Sequence, residues 1–416
     1  MRNKYSKWIL VCSILFIGVL FRLWFIRLVP QPFLYDQDEY KIYALKMMQS
    51  PFYLASHSYR TYPYPLLMAA VYTIFGYPNH QALFVVQAVI DVISGLLVYL
   101  SLSVALGIPL VSWIGFLLYI INPFTSGYVG VGLSEVLGTF FVTATLFTGV
   151  LFVRNPSVIG GLMLGLAAGM AAETRNAAFI WALVPIVLAG WWVKVWKHKL
   201  KYTAVISGLI LTMVYPLIVN WRDYREINVS NVDSFYAREF FNGAILRILP
   251  PFTYDYPREV KTMYWEYYSE FYPGRTREER RAMAAKYLRK GLEIVRSDPW
   301  DYIRWRFFKM WYVWQKENVF FYREPGFESH KMITYIGNYL LLCLAGAGMM
   351  FGWVVSKKRL WRYLLLTMIG SVGYATLAFS ISHAEYRLTI PYYPMLFMAA
   401  SVCVYTGLLL YKKFRK

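Results

Sequence analysis

Apolar residues in this chain gather into long blocks separated by short basic clusters. Crossing ~30 Å of hydrocarbon takes roughly 20 consecutive apolar residues. The blocks predict about ten transmembrane helices, at 8–28, 80–106, 108–122, 132–153, 157–174, 176–193, 201–220, 335–356, 360–381 and 390–411. A further run, 63–76, opens on Pro63-Tyr64-Pro65 and is too short to span, so it predicts an interfacial or buried helix. The first block follows Arg2, Lys4 and Lys7. It is longer than a signal-peptide core and lacks a small-residue cleavage site, which predicts an uncleaved first span. The expected fold class is an all-α polytopic membrane protein, a single membrane domain over 1–416.

Charge fixes the expected orientation. With the N-terminus in the cytoplasm, the cytoplasmic pieces are 1–7, 107, 154–156, 194–200, 357–359 and 412–416. They carry Arg154, Lys194, Lys197, Lys199, Lys357, Lys358 and Arg359 among other basic residues, and no Asp or Glu. Basic residues on the cytoplasmic side are what sets topology. Of the 23 acidic residues, Asp91 falls within a span and the others fall on or near the outer side. The expected location is therefore the inner or plasma membrane, with both termini cytoplasmic and the active site extracytoplasmic.

The composition, 58% hydrophobic and only 16% charged, fits the same reading. A net charge of +20 suggests nucleic acid at first. The basic residues sit in loops between spans and not on one soluble domain, so nucleic acid is excluded as a partner. Cys12, Cys343 and Cys403 all lie in apolar blocks, which argues against a disulfide framework or a metal cluster. The five His residues show no zinc spacing.

Two long segments face outward, a first loop over 29–79 and a second over 221–334; the C-terminal transmembrane helices occupy 335–416. Within the second, Thr276-Arg277-Glu278-Glu279 matches a capping box and predicts a helix to about Ser297, broken by Asp298-Pro299. The aromatic and basic run from Trp300 to Trp314 suits a helix in the headgroup layer, or else an ordinary core helix.

Ionisable residues near hydrocarbon are costly and mark candidate sites. Asp36, Asp38 and Glu39 precede Tyr40, Tyr43, Met47 and Met48, which predict a short amphipathic helix over about 38–49. Asp36 or Asp38 either caps that helix or serves as general base. The three carboxylates are also the candidate ligands for a divalent cation such as Mg or Mn. Glu135 stands near the outer end of a span with no sequence-adjacent partner. Glu173 and Arg175 flank an outer hairpin, where they either neutralise each other or meet substrate. His383, Glu385 and Arg387 precede the last span, with Pro391 and Pro394 close behind. Arg387 is either a snorkelling interfacial arginine or a phosphate ligand.

In their order along the chain, several stretches resemble the GT-C fold of membrane glycosyltransferases that use polyprenyl-phosphate sugars. The branch most like it holds the protein O-mannosyltransferases and the lipid A aminoarabinose transferases. Asp38-Glu39-Tyr40 through Met48 resembles the Asp-Glu motif of its first juxtamembrane helix. Tyr62-Pro63-Tyr64-Pro65 through Gly76 resembles its second extracytoplasmic juxtamembrane helix. Gly165-Leu166-Ala167 through Arg175-Asn176, Asn220-Trp221-Arg222-Asp223-Tyr224, and Tyr386-Arg387-Leu388 through Pro394 resemble three further motifs. The resemblance implies Asp38 as general base and Glu39 as a group holding the site or a metal. It implies Arg387 and Arg60 as ligands of the lipid phosphate, with Tyr62 and Arg222 in the substrate region. The donor it implies is a polyprenyl-phosphate sugar; the acceptor is a glycan, lipid or protein hydroxyl. A transporter or flippase of lipid-linked glycans and a glycan ligase or polymerase are the alternative classes.

Overall fold

The computed structural model describes residues 2–50, 52–54, 60–229, 235–245, 277–321, 327–382 and 384–414. His383 and the capping-box residue Thr276 lie outside these. Helices α1 (Arg2–Leu28), α2 (Asp36–Gln49), α3 (Pro63–Phe75), α4 (His80–Leu106), α5 (Pro109–Ile120) and the short α6 (Pro123–Ser126) come first. They are followed by α7 (Glu135–Arg154), α8 (Val158–Thr174), α9 (Ala178–Trp181), α10 (Leu183–Val193) and α11 (Lys199–Tyr224). The polar segment contributes α12 (Phe235–Ile245), α13 (Arg277–Ser297) and α14 (Pro299–Tyr312). Helices α15 (Phe327–Val355), α16 (Arg359–Ile381) and α17 (Tyr393–Phe414) end the described chain, with a 3₁₀ turn over Tyr386–Tyr392 before α17.

Among the described residues, eight helical stretches, α5 and α6 taken together as one, are long and apolar enough to cross a membrane, and they fall on eight of the ten expected spans. The other two are shorter. Helix α8 has 17 residues. The expected span at 176–193 divides into α9 and α10, because Pro185 has no N–H to offer the carbonyl of Trp181. Helix α3 has 13 residues and is largely buried, as a run too short to span should be.

Small residues set the closest packing. Gly161, Gly165 and Gly169 recur every fourth residue on α8 and face α11, where a Cβ would collide with Lys201 O, Val205 O and the Thr212 side chain. This is the small-xxx-small device by which apolar helices approach closely without a hydrophobic drive. Gly208 on α11 returns the contact against Leu162 O.

At the basic end of the bundle, lysine and arginine cap helix ends. Lys358 Nζ donates to Leu106 O at 2.6 Å, and Arg359 donates to Trp192 O. Each cation meets the negative end of a helix dipole. Helix α14 does the same at the other end. Arg306 donates to Ile381 O at 3.1 Å and Gly243 O at 2.6 Å; Lys309 donates to Gly243 O at 2.9 Å. Its outward face is therefore the aromatic one, with Trp300, Phe307, Phe308 and Trp311 exposed.

Asp91 finds its partner on α1. Its Oδ2 lies 2.6 Å from Arg22 Nε, and both side chains are fully buried. Tyr119 donates to Oδ1 at 2.7 Å and Thr125 to Oδ2 at 3.3 Å, while Arg22 also donates to Ile120 O at 2.8 Å. The pair ties α1, α4 and α5 together. Removing one partner strands the other charge away from water, at a cost of about 3–5 kcal/mol. Asp91→Leu should therefore destabilise the protein strongly in detergent, and Arg22→Leu with Asp91→Leu should recover most of the loss. Thermal denaturation followed by circular dichroism measures both; a double variant no better than the single one would contradict the pairing.

Candidate active site

The site forms where four stretches distant in sequence meet at one end of the bundle. Helix α2 supplies Asp36 and Glu39. Its apolar stripe of Tyr40, Ala44 and Met47 is buried, so its phase about the axis is fixed. Gln37 shares the buried side: its Oε1 accepts from Gly132 N at 2.5 Å and its Nε2 donates to Pro32 O at 2.9 Å. That leaves Asp36 and Glu39 turned toward Arg60, while Asp38 points elsewhere.

Asp36 is shared by two guanidiniums. Oδ1 lies 2.6 Å from Arg60 Nη2, and Oδ2 lies 3.1 Å from Arg387 Nη2. Arg60 Nε also meets Glu39 Oε2 at 2.9 Å, and its guanidinium lies over the Tyr40 ring at 4.9 Å. Arg387 Nε lies 2.8 Å from Glu385 Oε2 and 4.0 Å from Glu135 Oε1. Its guanidinium covers the Phe321 ring at 4.9 Å. Glu135 in turn pairs with Arg175 Nη1 at 2.9 Å. Gly138, one turn along α7 from Glu135, leaves the room in which the Arg175 stem lies. Four carboxylates and three guanidiniums thus form one network.

Burial alone would raise the Asp36 carboxyl. The Arg60 and Arg387 guanidiniums outweigh burial and hold it well below the usual carboxylate range. Two buried oxygens beside the network make no hydrogen bond among the described residues: Glu135 Oε2 and Tyr128 Oη. Tyr128 feels the charges of Glu135, Glu385 and Arg387. Native proteins leave few such atoms unpaired, and they mark places for water or ligand.

The remaining expected residues lie outside this network. Asp38 is 42% exposed and pairs with Lys41 at 2.6 Å. Neither Asp36 nor Asp38 caps α2; the cap position is Tyr35, with no side-chain cap bond and φ of +55°. Tyr62 stacks on Tyr215 at 4.3 Å and donates to Thr212 O at 3.1 Å, and buried Glu173 lies beside it. Arg222 is half-exposed and binds its neighbour Asp223 and Phe52 O. Glu173 and Arg175 do not neutralise each other, since Arg175 reaches across to Glu135.

Sequence reasoning passed over the uncharged residues that set the frame. Buried Gln87 donates to Val129 O at 2.8 Å and Val131 O at 2.9 Å, holding the irregular stretch before α7. Such backbone survives at membrane depth only when its polar groups are satisfied by protein. The signal was available, a glutamine within an apolar block. Lys316, also passed over, is buried and donates to Thr389 Oγ1 at 2.9 Å, two residues from Arg387.

Among the described residues no group of three His, Cys, Asp or Glu is placed to hold a metal. Both Asp36 oxygens already face guanidinium nitrogens. As arranged, the residues do not fit a divalent cation.

The sequence matches no protein-family model and no curated protein. Among solved structures, the chain is similar to the archaeal oligosaccharyltransferase AglB from Archaeoglobus fulgidus, in complex with an inhibitory peptide and a dolichol-phosphate. The TM-score is 0.50 at 14% identity, over 98% of this chain and 52% of that one. This chain therefore spans about half the length of the oligosaccharyltransferase. ArnT from Cupriavidus metallidurans, bound to undecaprenyl phosphate, matches at a TM-score of 0.44 and 12% identity, over 90% of this chain and 77% of that one. The fold is that of the GT-C membrane glycosyltransferases.

The Asp36 carboxyl is more acidic in the folded protein than in the unfolded chain. Its stabilising contribution is therefore complete above the unfolded value near pH 4 and is lost as pH falls toward the folded value. The difference in denaturation midpoint between wild type and Asp36→Asn should stay level from pH 8 to 5 and shrink below about pH 4. Asp36→Asn should start roughly 3–6 °C lower at pH 7 and show a shallower acid drop. Parallel acid limbs in the two proteins would count against the network.

Proposed function

We propose that this chain is a glycosyltransferase that moves a sugar from a polyprenyl-phosphate donor to an acceptor hydroxyl, at the extracytoplasmic face of the membrane. The observation that carries the reading is the Asp36 carboxylate set between Arg60 and Arg387. Substitution at an anomeric carbon needs a base for the incoming hydroxyl and a cation for the departing phosphate. Asp36 takes the acceptor proton, and Arg387 and Arg60 hold the phosphate as its bond to the sugar breaks. Guanidinium suits this task because its planar fork pairs two N–H donors with two phosphate oxygens. Glu135 and Glu385 orient Arg387, and Arg175 holds Glu135 in place. The unpaired Glu135 Oε2 and Tyr128 Oη stand ready for hydroxyls of sugar or acceptor. One direct displacement inverts the anomeric carbon.

The shared GT-C fold agrees with this chemistry but does not choose the sugar or acceptor. A transporter of lipid-linked glycans draws less support. Asp91, within a span, is already bonded to Arg22, Tyr119 and Thr125.

Asp36→Asn should lower transfer by about 10²–10⁴-fold, the usual worth of a positioned base. Asp38→Asn should retain most activity. Reconstituted protein supplied with a polyprenyl-phosphate sugar, with product stereochemistry read by NMR, tests both claims. Full activity in Asp36→Asn, or retention at the anomeric carbon, would overturn this mechanism.

A further inference from the structure

The arginines assigned to phosphate are not idle without it. Each fork receives two carboxylates: Arg60 takes Asp36 and Glu39, and Arg387 takes Asp36 and Glu385. Two guanidiniums converging on a single anion is the arrangement that binds a phosphate ester. Here the anion between them belongs to the protein. We propose that Asp36 occupies the phosphate position of the resting site and that the donor's phosphate displaces it from Arg387 and Arg60. The inference rests on the glycosyltransferase reading above and adds to it a competition between substrate and base.

The charge balance requires that competition. Among the described residues, Asp36, Glu39, Glu135 and Glu385 face Arg60, Arg175 and Arg387, four negative charges against three positive. A further anion is repelled unless a carboxylate yields its place. Among the described residues, Asp36 is the carboxylate paired with both phosphate ligands. It is also placed to move. It is the first residue of α2, and Tyr35 before it has a φ of +55°, a sparsely populated conformation for a non-glycine residue. Glu135 also begins its helix, but its side chain is buried and pinned by Arg175.

The consequence is ordered activation. While both guanidiniums hold Asp36, it is a poor proton acceptor. Once phosphate takes them, the carboxylate is left beside the donor with its basicity restored. The base is thus switched on by the substrate whose transfer it assists.

The test is binding and needs no turnover. Protein in nanodiscs is titrated calorimetrically with undecaprenyl phosphate and, separately, with inorganic phosphate. Asp36→Asn removes the internal competitor and should bind both about tenfold more tightly or better than wild type. Glu385→Gln should also tighten binding, less strongly. Asp38→Asn removes an equal charge from the same helix without touching either arginine and should bind as wild type does. Wild type binding while Asp36→Asn and Glu385→Gln bind equally or more weakly would overturn the competition and leave the glycosyltransferase reading standing. If Asp36→Asn does not fold, Glu385→Gln decides alone. Tightening toward the lipid but not inorganic phosphate would also overturn it, since the competition is for the head group. Wild type binding neither probe would overturn the functional reading, and this inference with it.

Discussion

One carboxylate holds this site together. Asp36 reaches Arg387 across 351 residues of sequence and Arg60 nearby, joining the start of α2 to the 3₁₀ turn before α17. Neither guanidinium nor carboxylate is fully solvated there, so each needs the others to be tolerable at the edge of hydrocarbon. Glu135, Glu385 and Arg175 extend the same bargain around the site. The network is structural, and in the proposed reading chemical as well, because the groups that neutralise one another are the ones that reading gives to substrate.

The uncharged frame obeys the same constraint. Hydrocarbon offers no hydrogen bonds, so any backbone that leaves helical form must be satisfied by neighbouring side chains. Gln87 serves the stretch at Val129 and Val131, and Gln37 serves Gly132. That stretch leads directly into Glu135 at the start of α7. The Gln37 contact also sets the rotation of α2, which decides which acid faces the arginines. Two uncharged amides thereby choose which carboxylate faces the arginines.

The positions of the spans and the gathering of charge at one end were legible from apolar block length and from the segregation of acid and base. The short buried nature of 63–76 was legible for the same reason. The identity of the acid in the network was not. The sequence suggests that the helix begins near residue 38; it begins at Asp36. Two residues of helix amount to about 200° of rotation, enough to exchange the inward and outward carboxylates. The partner of Glu135 was hidden because Arg175 reads most simply as a neighbour of Glu173. Asp91 showed that a partner was needed without showing that it lay 69 residues earlier. Pairings between helices depend on packing, and one sequence carries helical phase far better than packing.

The Arg22–Asp91 pair has a meaning for biogenesis. Helix α1 emerges from the ribosome well before α4, and its Arg22 costs roughly 2.5–3.5 kcal/mol in a lipid setting until a counter-charge arrives. The apolar remainder of α1 outweighs that cost, so it inserts alone, but with its arginine uncompensated. Completion of α4 brings Asp91, and α5 then adds the Tyr119 hydroxyl and the carbonyl of Ile120. Helices α1, α4 and α5 therefore become a settled unit in the order in which they are synthesised. The segment between α1 and α4 that carries Asp36 is anchored at both ends before Arg387 has been made.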